Sequence, residues 1–365
     1  MEDTIYMKRA IELAKKGEGF VNPNPMVGAV IVKDGRIIGE GFHQEYGQLH
    51  AERNALKNCK EKGNSPKGAT IYVTLEPCCH HGKTPPCTEA IIESGISRVV
   101  IGTLDVNPLV AGKGAKILTE YGIKVEVGIL EKECRNLNRV FNKYVSTKRP
   151  YVVMKYAMTA DGKIATTTGE SKWITGEAAR ENVHKLRKKL SGIMVGVSTV
   201  IADDPMLDCR LPEPAKNPVR IICDTNLRTP IDSNVVKTAD KIHTIIATAS
   251  EDAKRIKEYE KEGCKVLIIP KTNNGIDLNF LMNEIGNLGI DSVLLEGGGT
   301  INYSALESRI VDEIHVHVAP KIFGGNSKSP VEGIGIEQID KAIHLNPIST
   351  TWAGEDLIIE NEVVY

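Results

Sequence analysis

Two α/β domains are what the sequence predicts, on three observations. The chain has 365 residues, more than a single ordinary core organises. Short apolar runs alternate with stretches of helical period along nearly its whole length. One helix-breaking segment, Ser146 to Pro150, interrupts the alternation and divides it into residues 1–146 and 147–365.

The elements follow in order. Tyr6, Met7, Ala10, Ile11, Leu13 and Ala14 recur at helical spacing, with Thr4 placed to cap them and Gly17 to end them. Residues 27–32 and Ile37-Ile38 read as strands around the Asp34-Gly35 turn. Glu52, Ala55 and Leu56 mark a helix, 71–73 a strand, 88–94 a helix, and 99–101 and 125–127 strands. One helix from Glu131 to about Tyr144 closes the first domain. In the second, strands are expected at 151–154, 192–197, 219–223, 242–247, 266–269, 292–295 and 313–318. Helices are expected at 176–190, 252–262 and 277–286.

Hydrophobic content of 41% and charged content of 25% fit a soluble globular protein. No apolar run reaches 18 residues, so no membrane span is expected. Met1-Glu2-Asp3-Thr4 lacks the basic and apolar regions of a signal peptide, which points to the cytoplasm. Net charge is +3 over residues 1–146 and −4 over 147–365, so neither half is a general nucleic-acid binder. Of eight cysteines, Cys78, Cys79 and Cys87 lie within ten residues, a metal-like grouping. The other five read as small buried hydrophobes.

His50-Ala51-Glu52 opens a helix, and Pro77-Cys78 and Cys87 follow. Catalytic zinc takes three protein ligands and leaves a position for water, and His50, Cys78 and Cys87 meet that count. Bound zinc lowers the pKa of its water toward ~7. Glu52, two residues from a ligand, stays unligated and serves as the proton shuttle. This is the pattern of zinc nucleobase deaminases, except that the second Cys of their Pro-Cys-x-x-Cys is here His81. A purely structural zinc would close all four positions with protein and would not need Glu52. Cys79 competes as a ligand, and His80 and His81 are either solvated loop or substrate contacts.

Pro77-Cys78 followed by His81-Gly82-Lys83-Thr84-Pro85-Pro86-Cys87 resembles the deaminase half of the bifunctional deaminase–reductases of riboflavin biosynthesis. That family spaces its Cys ligands as Cys78 and Cys87 are spaced, with Ser where this chain has Cys79. The resemblance includes the loop Asn22 to Gly28 and implies a cytidine-deaminase-like, three-layer α/β/α domain. It assigns Asn24, His43, Lys83, Asp105 and Asn107 to the deaminase substrate. Lys83, in a Gly-Lys-Thr loop, suits a phosphate, or is simply an exposed loop lysine.

In the second domain Glu296-Gly-Gly-Gly-Thr-Ile-Asn302 follows an apolar strand. Successive glycines admit a diphosphate near a helix start, although the last glycine of the dinucleotide fingerprint is missing. The ordered set of Lys155 to Ala165, Glu170 to Thr175, Leu186-Arg187, Gly196 to Thr199, Ala202 to Leu207 and Arg210 resembles the reductase half of the same family. Its fold is like dihydrofolate reductase, and the likeness runs over nearly the whole chain. By that resemblance Lys155, Ser171, Arg187, Leu207, Arg210 and Glu296 contact the sugar-phosphate substrate. Trp173, Thr199, Asp203 and Gly298, Gly299, Thr300, Ile301, Asn302 and Ser304 contact NADPH. Arg187 and Arg210 suit bidentate phosphate binding. Taken singly, Arg187 also reads as part of a solvated basic face, Asp203 as a turn residue and Trp173 as core.

The resemblance implies zinc-dependent hydrolytic removal of the 2-amino group of 2,5-diamino-6-ribosylamino-4(3H)-pyrimidinone 5′-phosphate. NADPH reduction of the ribosyl chain to ribityl follows. One zinc per chain, NADPH and a small pyrimidine ribose-phosphate are the expected ligands, in a homo-oligomer without nucleic-acid or membrane partners. Two other readings stay open: a nucleoside or tRNA deaminase joined to an unrelated reductase-like domain, and a zinc-stapled scaffold without turnover.

Overall fold

The computed structural model describes residues 2–81 and 85–365, and the chain divides into two compact units, Met1–Thr147 and Lys148–Tyr365. That division lies one residue from the split read in the sequence. No helix among the described residues is long and apolar enough to cross a membrane.

The first unit runs α1 (Glu2–Lys15), β1 (Gly28–Lys33), β2 (Arg36–Phe42), α2 (Ala51–Glu61), β3 (Thr70–Leu75), α3 (Cys87–Glu93), β4 (Arg98–Thr103), α4 (Lys113–Glu120), β5 (Lys124–Val127), α5 (Glu131–Leu137) and α6 (Arg139–Thr147). The sheet order is β2-β1-β3-β4-β5, with β1 antiparallel to both neighbours and β3, β4 and β5 parallel. Period-2 alternation sorts the side chains into two layers. Val30, Val32, Tyr72 and Val100 pack on Met7, Ala10 and Leu13 of α1 and Cys134 of α5. Ile31, Ile71, Val73, Val99 and Ile101 pack on Ala51 and Ala55 of α2, Ile91 of α3 and Leu118 of α4. The result is a three-layer α/β/α unit.

The second unit runs β6 (Tyr151–Thr159), α7 (Glu177–Lys189), β7 (Gly192–Gly196), α8 (Val197–Asp203), β8 (Val219–Cys223), α9 (Asn234–Lys237), β9 (Thr244–Thr248), α10 (Ala253–Lys261) and β10 (Lys265–Ile268). A small ribbon of β11 (Lys271–Thr272) and β12 (Gly275–Ile276) precedes α11 (Leu278–Asn287), β13 (Ser292–Leu295), α12 (Gly299–Glu307), β14 (Glu313–Ala319), β15 (His344–Ala353) and β16 (Asp356–Val364). The large sheet has the order β10-β9-β8-β7-β13-β6-β14-β16-β15. It is parallel from β10 to β14, and the final hairpin adds two antiparallel strands.

The helices α4, α8 and α9 and the β11–β12 ribbon were not among the expected elements, and two further differences have a visible physical reason. The helix expected over 131–144 breaks at Asn138, which is 3% exposed. Asn138 Oδ1 accepts from Met26 N–H at 2.8 Å and its Nδ2 donates to Met26 O at 2.9 Å. A side chain engaged this way with a distant peptide competes with uninterrupted helix. The hairpin β15–β16 has no counterpart in the reading above, because β15 is exposed at nearly every position and shows no apolar alternation.

Close packing of α2 on the sheet requires glycine. A Cβ at Gly41 would stand 2.3 Å from Ala55 N and 2.5 Å from Ala51 O. Both are backbone atoms, so nothing yields easily. Gly41→Ala is therefore expected to destabilise the first unit by roughly 1–3 kcal/mol, read as a lower urea midpoint for its unfolding transition.

Candidate active sites

The parallel strands β3 and β4 end at one edge, and the loops after strand ends are where open α/β sheets present functional groups. Past β3 the chain runs Glu76-Pro77-Cys78, and past β4 it runs to Asp105 and Asn107. The glycine seat of α2 delivers His50, the residue immediately before the helix, to the same edge. Cys87 is the first residue of α3, and its N–H lies 3.4 Å from Cys78 Sγ. Arg53 braces the loop before Cys87, donating from Nε to Pro85 O at 3.1 Å and from Nη2 to Pro86 O at 2.7 Å.

His50 Nδ1 lies 3.5 Å from Cys78 Sγ and 3.5 Å from Cys87 Sγ. Tetrahedral zinc with ordinary Zn–S and Zn–N bonds sets nitrogen and sulfur ligands about 3.6 Å apart, so donor set and spacing both fit that ion. Cys79 stays outside this cluster, with its Sγ 3.9 Å from Leu109 O. His81 is exposed and faces Glu89, whereas His80 lines the pocket.

The electrostatics of these side chains suit a cation. The hydrogen bond from Cys87, opposed by burial and reinforced by His50, pulls Cys78 down to about 4. Cys87 is driven up, by its bond to Cys78 and by burial. Burial, with the Cys78 charge adding, lifts Glu52 to about 7. Glu52 is 3% exposed and lines the cavity with Asn24, His43, Cys78, Asp105 and Asn107.

Asn24 Nδ2 donates to His43 Nε2 at 3.1 Å, and His43 Nδ1 donates to Leu49 O at 3.1 Å. His43 is 2% exposed, so the polar group it helps present is Asn24. Burial raises Asp105 to about 6, despite the hydrogen bond from Asn107 N–H at 2.8 Å. Lys83 lies outside the described residues. Tyr46, Gln48 and Phe141 also line the cavity without any signal in the sequence motifs, and His80, left open between solvated loop and substrate contact, lines it too.

In the second unit Glu296 follows β13, next to Lys155 of β6 by register. Arg187 of α7 grips Glu296 in a fork, Nε to Oε1 at 2.7 Å and Nη2 to Oε2 at 2.8 Å, and its Nη1 donates to Asp208 O at 2.9 Å. The guanidinium read as a phosphate grip is thus engaged with a carboxylate. Burial alone would raise Glu296, but the charge and bonds of Arg187, then Lys155, bring it below the carboxylate range. Burial lowers Lys155, with Arg187 adding and Glu296 opposing. Leu207 puts its side chain into the core with Ile193, Val195 and Val200, which leaves only its backbone for a ligand contact. Arg210 is exposed, with Asp208 at 3.4 Å.

Gly298 caps α12. A Cβ built on Gly298 would find only Thr199 Oγ1 within 4 Å, at 3.9 Å, which leaves a cradle for a ligand beside free helix N–H groups. Asn302 donates to Pro330 O at 2.8 Å while its buried Oδ1 has no hydrogen-bond partner. Thr300 Oγ1 reaches Glu332 at 3.5 Å, Ser304 donates back to Thr300 O, and Ile301 packs on the core. Lys172 ties the Ser171–Trp173 segment to Asp203 through its carbonyl at 3.3 Å. Trp173 is 63% exposed, under the Arg180 guanidinium at 4.7 Å. This donor set fits a dinucleotide.

Residues 150–359 match the model of the RibD C-terminal domain, and residues 1–103 match the cytidine and deoxycytidylate deaminase zinc-binding region. The riboflavin biosynthesis protein RibD of Actinobacillus pleuropneumoniae is 54% identical, over 100% of this chain and 96% of that protein. The RibD of Escherichia coli is 40% identical, over 94% of each. Among solved structures, the diaminohydroxyphosphoribosylaminopyrimidine deaminase/5-amino-6-(5-phosphoribosylamino)uracil reductase of Thermotoga maritima superposes with a TM-score of 0.90 at 41% identity, covering 100% of this chain and 99% of that one.

If His50, Cys78 and Cys87 are the ligands, Cys79→Ser should keep one zinc per chain by elemental analysis and Cys87→Ser should not. Retention by both would remove Cys87 from the set.

Proposed function

The chain belongs to the RibD family, the bifunctional deaminase–reductases of riboflavin biosynthesis, and from that premise we propose how its residues divide the two reactions. The first unit is the cytidine-deaminase-like deaminase and the second the dihydrofolate-reductase-like reductase. The substrate of the first is 2,5-diamino-6-ribosylamino-4(3H)-pyrimidinone 5′-phosphate, which loses its 2-amino group. The reductase then converts the ribosyl chain to ribityl.

In the deaminase, His50, Cys78 and Cys87 hold one zinc. Zinc, when bound, supplies Lewis-acid activation of the attacking water. Glu52 takes the proton of that water, passes it to the ring nitrogen beside the reacting carbon, and assists departure of ammonia. Asn24, presented by His43, holds the substrate with Asp105 and Asn107, and Lys83 meets its phosphate. The observation that carries this reading is the buried Glu52 carboxyl in one cavity with the three-ligand cluster and these polar groups.

In the reductase, NADPH, when bound, supplies the hydride. Gly298, Gly299, Thr300, Ile301, Asn302 and Ser304 cradle its phosphates, with Trp173, Thr199 and Asp203 beside them. Glu296, held ionised and aimed by Arg187, accepts from the ribosyl hydroxyls with Lys155 and Ser171 alongside. Leu207 contributes through its backbone. Arg210, exposed beside Asp208, takes the phosphate. A homo-oligomer is supported by the exposed edge strand β15, which shows Leu345, Ile348 and Trp352 to solvent.

Glu52→Gln should keep its zinc yet lose ~10²–10⁴-fold in ammonia release, while the reduction of pre-deaminated substrate continues. A wild-type deamination rate would end the shuttle assignment. Arg210→Ala should raise the Michaelis constant for the reductase substrate by about one to two decades, with NADPH affinity by fluorescence titration little changed. Collapse of cofactor affinity instead would move Arg210 to the cofactor site.

A further inference from the structure

Glu76 stands between β3 and the ligand Cys78, 3% exposed, with no part in the chemistry derived above. Its carboxylate collects three backbone N–H groups. Oε2 accepts from Asp105 at 3.2 Å and Gly112 at 2.8 Å, and Oε1 accepts from Ala115 at 3.1 Å. Those donors sit at the two ends of the segment joining β4 to α4 and in the first turn of α4. The N–H groups of a first helical turn have no partner within the helix, so a carboxylate is the natural group to receive them.

The segment so held is the cavity wall. Asp105 Oδ1 accepts from Asn107 N–H at 2.8 Å, and Asn107 Oδ1 accepts from Leu109 N–H at 3.1 Å, a chain of side-chain turns that begins at the peptide Glu76 fixes. Asp105, Asn107 and Val110 line the cavity that contains Glu52 and Cys78. α4 also lies hard against the same turn, since a Cβ at Gly114 would be 2.2 Å from Pro77 O. One carboxylate two residues before a metal ligand therefore sets where the substrate-facing wall stands relative to that ligand.

We propose that Glu76 is a positioning residue for deamination, holding Asp105 and Asn107 in register with the zinc cluster through three backbone hydrogen bonds. The proposal rests on the deaminase assignment. It demands a carboxylate and not merely a polar group of the same shape, because both oxygens must accept. A glutamine offers one acceptor, and its NH₂ would face an N–H donor.

The test is steady-state deamination of the diaminopyrimidine ribose-phosphate by the full-length zinc enzyme. Turnover by the wild type is the control on the deaminase reading itself. Glu76→Gln is expected to raise the Michaelis constant by about one to two decades, with kcat much less affected. Zinc should stay at one per chain and reduction should be unchanged. Glu76→Asp, which keeps both acceptors on a shorter stem, should recover part of the loss. Since Glu76 acts through Asp105, adding Glu76→Gln to Asp105→Ala should worsen the Michaelis constant by less than it does alone. A wild-type Michaelis constant in Glu76→Gln, a loss confined to kcat, or full additivity with Asp105→Ala would overturn the proposal. If Glu76→Gln fails to fold, Ala115→Pro decides. It deletes one of the three donors in a helix first turn that tolerates proline, and an unchanged Michaelis constant there would equally overturn it.

Discussion

Two sulfurs and an imidazole nitrogen meet inside the deaminase unit beside a buried carboxyl, and negative charge gathered there is costly without a cation. The side chains record that cost as mutual interference. The Cys78 charge raises both Cys87 and Glu52 on top of what burial does. A dication held by His50, Cys78 and Cys87 would reverse each effect, favouring thiolate on both sulfurs and returning Glu52 toward its charged, proton-accepting form. The surrounding architecture serves this convergence. The glycine seat of α2 fixes His50, the end of β3 fixes Cys78, and Arg53 fixes the approach to Cys87.

The reductase unit solves a related problem within its own chain. Glu296 is largely buried too, with 13% of its side chain exposed, but Arg187 matches it oxygen for oxygen and Lys155 stands alongside. The ion pair of Arg187 and Glu296 keeps a carboxylate in a shielded place beside Lys155. The fork also fixes the Glu296 plane before any ligand arrives, a form of preorganisation that saves reorganisation on binding.

Much of this was legible in the chain itself. The layered alternation of 27–32, 71–73 and 99–101 appears as the two faces of one sheet, because period-2 patterning is a local consequence of burial. The cluster of His50, Cys78 and Cys87 could be read because coordination chemistry restricts residue types so strongly. Partnerships that need the third dimension were not legible. Nothing in the basic run around Arg187 distinguishes a solvated face from a buried fork, and the answer depends on a carboxylate 109 residues away. Leu207 carried a family assignment, but its side chain belongs to the core. The break at Asn138 was hidden because an Asn in a polar helical stretch gives no sign of its distant peptide partner. Glu76 was hidden for a similar reason, since its three partners are backbone groups and backbone leaves no mark in a sequence.

The bond pair between Asn138 and the Met26 peptide also has a meaning in time. The two residues are 112 positions apart, and at roughly 5–20 residues per second on the ribosome the later one emerges about 6–22 s after the earlier. Throughout that interval the Asn22–Gly28 loop, which carries Asn24, lacks this one tie at Met26, although Asn24 can already meet His43. The nascent first unit therefore gains this tie beside Asn24 only after almost all of its own length has been made.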